Sequence, residues 1–209
     1  VWQVSAFTLA HTVTLALGAM GWVNVPGAIV EPLIAASIVY VAVENVFHSG
    51  LNRWRPLVIF GFGLLHGLGF ASVLAEFGLP AGSFVPALIG FNVGVEVGQL
   101  AVIAVMFLAV WQAIRVDRGA NEANQAMAVY AVLIAASIAL LVWSPAGLAE
   151  LMENPPYVFV APMLMVFVLC MGSVVMRDQV EAYRRIVTIP ASVFIAVVGI
   201  YWFIERVFL

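Results

Sequence analysis

Three side chains that can carry a charge lie deep inside apolar stretches of the sequence. His11, His66 and Glu96 stand nine, eleven and twelve residues after the start of three separate apolar runs. At about 1.5 Å of rise per helical residue, they lie roughly 14–18 Å into a bilayer core about 30 Å thick. An unpaired charge at that depth costs on the order of 3 kcal/mol. We therefore expect the three side chains to converge.

The residue types of this group suit a metal ion. Imidazole and carboxylate together favour borderline divalent ions such as nickel, cobalt or zinc. Glu44, on a fourth run and slightly nearer the cytoplasmic end, is a further candidate ligand. A carboxylate beside histidines also suits a proton relay. The remaining alternative is a polar network that only fixes how the helices pack.

Polar residues around these four form a supporting set. Asn92, Glu96 and Gln99 follow at i, i+4 and i+7, which predicts one polar stripe on one helix face. Asn92 and Gln99 should then line the same cavity as Glu96. The supporting core is completed by Asn45 and His48, and Glu44 and His48 are four residues apart and can pair. Thr8 and Thr12 are expected to bond back to their own helix.

Glycines at spacings of four predict close contacts between helices. One pair is Gly63 and Gly67, which flank His66 on the same run. A longer ridge is formed by Gly90, Gly94 and Gly98 beside the polar stripe, and Gly94 is expected to contact another helix.

Composition indicates an integral membrane protein. Of 209 residues, 65% are hydrophobic and 9% are charged, with a mean hydropathy of +1.12, whereas soluble domains carry roughly 25% charged residues. We predict an all-α bundle in one transmembrane domain, residues 1–209, with the lipid bilayer as its partner. The chain has no Lys, which excludes a retinal Schiff base, and no basic tract for nucleic acid. We interpret its single cysteine, Cys170, as a small buried apolar residue.

Seven apolar segments reach or approach the length needed to span a bilayer. They are Trp2–Val23, Glu31–Phe47, Arg55–Phe77, Phe84–Ile114, Asn124–Trp143, Tyr157–Met176 and Ile186–Phe208.

The charges between the segments predict their orientation. Loops carrying Arg53, Arg118 and Arg184 share one side, and Glu150 and Glu153 lie on the other. By the positive-inside rule the arginine side is cytoplasmic, so the N-terminus is cytoplasmic. Arg206, beside Glu205 at the far end, is the one exception. Arg55 is expected to be an interfacial anchor.

The two halves of the chain differ. Residues 1–115 hold almost all the buried polar groups, whereas residues 116–209 are nearly uniformly apolar. The second half is therefore expected to be scaffold, or the interface with a membrane-complex partner or a second copy.

Four phrases together resemble the HupE/UreJ family, membrane proteins associated with hydrogenase and urease maturation and proposed to move nickel or related metals. They are Ala6-Phe-Thr-Leu-Ala-His-Thr-Val-Thr-Leu15, Glu31-Pro-Leu-Ile-Ala-Ala-Ser37, Phe60-Gly-Phe-Gly-Leu-Leu-His-Gly-Leu-Gly-Phe-Ala71 and Gly90-Phe-Asn-Val-Gly-Val-Glu-Val-Gly-Gln-Leu100. The resemblance covers about residues 5–115. It implies that the family's polar core includes His11, Glu44, Asn45, His66, Asn92, Glu96 and Gln99. Members usually carry an earlier helix with a Gly-x-Asp-His motif, which these 209 residues do not contain.

The sequence thus favours a multi-pass protein of the bacterial inner membrane that binds or translocates nickel or a similar divalent metal. The alternative is a non-catalytic accessory subunit of a larger membrane complex. A third reading, an intramembrane metal-dependent enzyme, is disfavoured because no Gly-x-Ser-x-Gly, phosphate loop, CxxC or HExxH motif is present.

Overall fold

The computed structural model describes residues 2–48, 50, 53–77, 84–143, 155 and 157–208, and within them the chain is helical and contains no strand. The helices are α1 (Trp2–Ala19), α2 (Gly27–Phe47), α3 (Arg55–Phe77), α4 (Phe84–Asp117), α5 (Ala123–Val142), α6 (Tyr157–Val175) and α7 (Ile189–Phe208). A π-helical turn, Arg184–Thr188, leads into α7.

Each of these helices falls on one of the predicted apolar segments, which confirms the all-α transmembrane fold class. Five are long and apolar enough to cross a membrane: α2, α4, α5, α6, and α7 taken together with its π-helical turn. The number of crossings and the cytoplasmic N-terminus stay predictions. Glu150 and Glu153, on which the predicted orientation partly rests, lie outside the described residues.

Two boundaries differ from the prediction by four residues: α1 ends at Ala19 rather than at Val23, and α2 begins at Gly27 rather than at Glu31. Pro26 directly precedes it in an extended conformation (φ −56°, ψ 135°) and ends the loop. Pro32 therefore lies inside the helix, past its first turn, and it removes the backbone hydrogen bond that position 32 would donate to the carbonyl oxygen of Ala28. The pattern Glu31-Pro32 suggested a start because Pro is common in the first helical turn.

The chain divides into two compact units, residues 1–104 with 192–209, and residues 105–191. The divisions fall within α4, after Ala104, and near the beginning of α7. In the first unit α1 packs along α3, and α3 also packs against α2. Gly69 on α3 and Gly199 on α7 each approach a side chain of α2 closely, Ile34 and Val39 respectively. The candidate side chains of the first four helices all belong to this unit.

The second unit is built around Tyr130 of α5, which is fully buried. Its hydroxyl donates to the carbonyl oxygen of Ala109 and accepts the N–H of Ala113, each at 3.0 Å. Those two backbone groups are the i and i+4 partners of a regular helix. The hydroxyl is therefore inserted between two backbone groups of α4 that would otherwise bond to each other. A side chain inserted in this way is a known cause of local helix bending. Cys170 is buried in the same core with a free thiol.

Candidate functional site

The site is positioned by the contact between α1 and α3. A Cβ atom at Gly63 would lie 2.9 Å from Cβ of Ala10, and one at Gly67 would overlap the side chain of Thr14. Farther along, Ala71 contacts Gly18. Small residues thus recur every four positions on both helices, which run parallel and pack backbone to backbone. This contact uses Gly63 and Gly67, the pair selected by its spacing in the sequence.

Two threonine hydroxyls are satisfied by backbone carbonyls near this contact. Thr14 Oγ1 donates to the carbonyl oxygen of Leu64 on α3 at 2.8 Å, a hydrogen bond between the helices. Thr12 Oγ1 donates to the carbonyl oxygen of Thr8 at 2.7 Å, one turn back on its own helix, as predicted. The Leu64 bond fixes the register of α3 on α1, and hence the positions of His11 and His66.

The polar stripe of α4 faces α1. Three side-chain pairs, which we call the polar ladder, join the two helices: Ser5 Oγ to Glu96 Oε1 at 3.3 Å, Thr8 Oγ1 to Gln99 Oε1 at 3.3 Å, and His11 Nδ1 to Asn92 Oδ1 at 3.2 Å. The predicted stripe of Asn92, Glu96 and Gln99 therefore lies along one neighbour. Thr8, expected to bond back to its own helix, instead donates to Gln99.

His11 is enclosed by aromatic rings. It is 2% exposed, and the rings of Phe7, Phe70 and Phe91 lie around it at centroid distances of 6.1, 5.6 and 6.4 Å. Asn92 Nδ2 donates to the carbonyl oxygen of Leu88 at 2.8 Å, so its own carbonyl oxygen points to His11. Nδ1 of His11 must then donate, which leaves a lone pair on Nε2 of the neutral ring.

His66 has the same arrangement on α3. Its Nδ1 donates to the carbonyl oxygen of Phe62, one turn earlier, at 2.8 Å. Nε2 of the neutral ring again keeps its lone pair. The ring lies edge-on to Phe7, with centroids 5.1 Å apart. Since Phe7 also stacks on His11, one phenyl ring contacts both imidazoles. His66 also lines a cavity of about 290 Å³ together with Asn45 and Ser37 of α2.

Glu44 does not join the histidines, because it pairs with Arg55. The Arg55 Nε atom lies 3.7 Å from Glu44 Oε2, and Arg55 Nη2 donates to Asn45 Oδ1 at 3.0 Å. Both charged side chains are largely buried, 14% exposed for Arg55 and 9% for Glu44. Arg55 thus ties α3 to α2 rather than serving only as an interfacial anchor. Glu44, which could pair with His48 by its spacing, is paired with Arg55, and the His48 side chain is exposed.

The three groups predicted to converge have separate partners. Asn92 accepts from His11, the Phe62 carbonyl accepts from His66, and Ser5 donates to Glu96. Among the described residues, no three His, Cys, Asp or Glu side chains are grouped closely enough to hold a metal ion. His11, His66 and Glu96 are therefore not brought together as three ligands of one ion. Each group is instead stabilised in its position by a neutral hydrogen-bond partner.

The glycine ridge of α4 lies away from this site. A Cβ atom at Gly90, Gly94 or Gly98 would meet nothing within 4 Å in the part of the chain that the structure describes. The expected contact of Gly94 with another helix is therefore absent there. At about 100° per residue, these glycines occupy the face of α4 opposite Asn92, Glu96 and Gln99. The polar stripe faces α1, so Gly90 and Gly94 face outward, whereas Gly98 borders a cavity that Phe7 and Gln99 also line.

Sequence reasoning missed the groups that surround the predicted residues. Ser5 is an ordinary small polar residue, yet it donates to Glu96. Phe7 carries no polar group, yet its ring contacts both imidazoles. The available signal was the i, i+3 spacing of Ser5, Thr8 and His11, which places polar groups along one side of α1.

The comparison with known families matches the part of the chain that holds this site. Residues 1–145 match a family described as "HupE / UreJ protein". That range includes α1–α5 and every residue of the polar ladder. No curated protein and no solved structure matches the chain.

Proposed function

Because this chain belongs to the HupE/UreJ family, we propose that it carries a divalent transition metal ion, such as nickel, cobalt or zinc, through the bacterial inner membrane. The ion is cargo in this proposal, passed between His11 and His66. The main support is that the two imidazoles have the same protonation and hydrogen bonding. In each ring Nδ1 donates to an acceptor, and the Nε2 lone pair is left for a ligand.

The Nδ1 hydrogen bonds are the support that metal-binding histidines need. A histidine that ligates a metal almost always donates its other ring N–H to an oxygen, which fixes the tautomer and the ring orientation. Here Asn92 and the Phe62 carbonyl fill that role. Imidazole nitrogen suits nickel, cobalt and zinc alike, so these residues select a group of metals rather than one.

Phe7 and Glu96 complete the proposed path. Phe7 contacts both imidazole rings, so a change in its rotamer would open or close the space between them. Glu96 supplies a carboxylate on the neighbouring helix, and its negative charge lowers the cost of holding a cation at this depth. A site of few ligands binds weakly, and conduction requires an ion to leave as readily as it enters.

Metal uptake by the purified full chain in proteoliposomes tests the proposal. Nickel, cobalt and zinc are supplied outside, and uptake is read with a metal-sensitive dye inside. His66→Ala and His11→Gln should each abolish most of the uptake, and Glu96→Gln should reduce it. His48→Ala is the matched control, because that histidine is exposed and outside the polar ladder. Uptake unchanged in both His66→Ala and His11→Gln would refute the proposal.

The alternative function, a non-catalytic accessory subunit, draws on a different observation. The outward glycine ridge of α4 allows close approach by a helix from another chain, and residues 116–209 add a further apolar surface. Under this alternative the polar ladder only fixes packing. Copurification with one defined membrane complex, together with no metal uptake by the purified chain, would favour it.

A further inference from the structure

Arg206 and Glu31 form an ion pair in the first unit. Arg206, near the end of α7, lies with its Nε 2.9 Å from Oε2 of Glu31, in the second turn of α2, and each side chain is 50% exposed. Arg206 was the exception to the predicted charge pattern, and this partner explains why it is tolerated there. The pair therefore presents one positive and one negative group side by side at the surface.

An apolar groove runs inward from this ion pair. It encloses about 300 Å³ and is lined by Glu31 and Arg206 at its mouth and by Ile34, Ile38, Phe70 and Trp202 along its walls. From Glu31 to Ile38 the wall is about 10 Å long at 1.5 Å per residue. Gly69 forms part of the floor, where α2 and α3 approach closely. Trp202 is 45% exposed and has the amphipathic ring that favours the headgroup level of a bilayer.

We propose that this groove binds one bilayer phospholipid whose headgroup carries both a phosphate and a primary ammonium group. The phosphate contacts the guanidinium of Arg206, and the ammonium contacts the carboxylate of Glu31. One acyl chain lies along Ile34, Ile38 and Phe70. The binding is non-covalent, and it does not depend on metal transport.

Charge complementarity selects this headgroup. A headgroup with only a negative charge would compete with the Glu31 carboxylate for Arg206 and would bring no cation of its own to Glu31. A trimethylammonium headgroup has the same net charge but no N–H to donate to Glu31. The primary ammonium supplies three donors, and phosphate accepts hydrogen bonds from a guanidinium in a charge-assisted pair.

Native mass spectrometry of the full chain in detergent tests the assignment. The protein is stripped of lipid and titrated separately with phosphatidylethanolamine, phosphatidylcholine and phosphatidylglycerol. We expect one bound phosphatidylethanolamine, with apparent affinity about two- to five-fold above that for the other two lipids, the range set by half-exposed ion pairs. Equal retention of the three lipids would overturn the proposal.

Substitutions of Arg206 and Glu31 test the phosphate contact and the ammonium contact separately. Arg206→Gln should weaken phosphatidylethanolamine binding, and Glu31→Gln should shift the preference toward phosphatidylglycerol by removing the carboxylate. Arg115→Gln is the matched control, because it breaks another guanidinium–carboxylate pair, with Glu122, outside the groove. Wild-type lipid preference in both mouth variants, or a chain dimer that excludes lipid, would overturn the proposal.

Discussion

The Nδ1 atom of His11 lies 3.2 Å from the side-chain carbonyl oxygen of Asn92, and both residues are buried. The amide of Asn92 is itself oriented by its hydrogen bond to the Leu88 carbonyl. This relationship determines which nitrogen of His11 holds the proton. A chemical role for His11 thus depends on a residue of α4, 81 positions away.

Replacing Asn92 tests that dependence. In Asn92→Ala the Nδ1–H of His11 loses its acceptor in a buried position, which should cost about 1–3 kcal/mol of stability. We expect a lower Tm in detergent and weaker metal uptake. Asn124→Ala, at an exposed position at the start of α5, is the control and should leave both unchanged. A wild-type Tm for Asn92→Ala would mean that the hydrogen bond is not important for stability.

Two glycine-to-alanine changes should have opposite effects. In Gly67→Ala the added methyl group meets the backbone of α1 and Thr14, and forced overpacking typically costs about 1–3 kcal/mol. In Gly94→Ala it enters open space, and replacing a helical glycine typically gains about 0.5–1 kcal/mol. Tm should therefore fall for Gly67→Ala and hold or rise for Gly94→Ala. If both variants lose stability equally, the outward direction of the ridge is wrong.

Sequence patterns predicted the elements and one helix contact well, since both depend on local spacing. Segment bounds followed from apolar runs, and the Gly63 and Gly67 pair does lie against α1. The direction of the Gly94 ridge could also have been predicted from the sequence, because a helical wheel places it opposite Asn92. The ridge was expected to contact another helix, because small residues at spacings of four allow close approach.

Pairings between distant residues could not be predicted, because they depend on how helices associate. Glu44 had a candidate partner four residues away in His48, and the structure pairs it with Arg55 of the next helix instead. A buried carboxylate gains more from a guanidinium that also bonds a neighbouring amide than from an exposed imidazole. Similarly, no sequence pattern singled out Phe7, whereas packing places it against His11 and His66.

Tyr130→Phe tests the role of the hydroxyl that sits in the α4 ladder. The variant removes two buried hydrogen bonds, to Ala109 and from Ala113, at a net cost of about 1 kcal/mol for each bond not replaced. We expect a lower Tm with the fold retained. Tyr157→Phe, at an exposed position at the start of α6, should leave Tm unchanged. An unchanged Tm for Tyr130→Phe would indicate that the helix re-forms its own bond at no cost.

The pH dependence of metal binding distinguishes cargo ligands from structural histidines. A metal ion binds the neutral imidazole, so protons compete for Nε2, and binding should weaken as pH falls through and below about 6.5, the ordinary imidazole value. Nickel titrations by calorimetry at pH 7.5 and 5.5 measure this effect on the purified chain. His48→Ala should retain the full pH dependence, whereas His66→Ala should lose most of the binding at pH 7.5. Glu96→Gln should bind more weakly at pH 7.5 while keeping the dependence, because it removes charge but no imidazole. Nickel binding at pH 7.5 that is unchanged in both His66→Ala and His11→Gln would exclude these histidines as its ligands, even if the wild-type chain binds the metal.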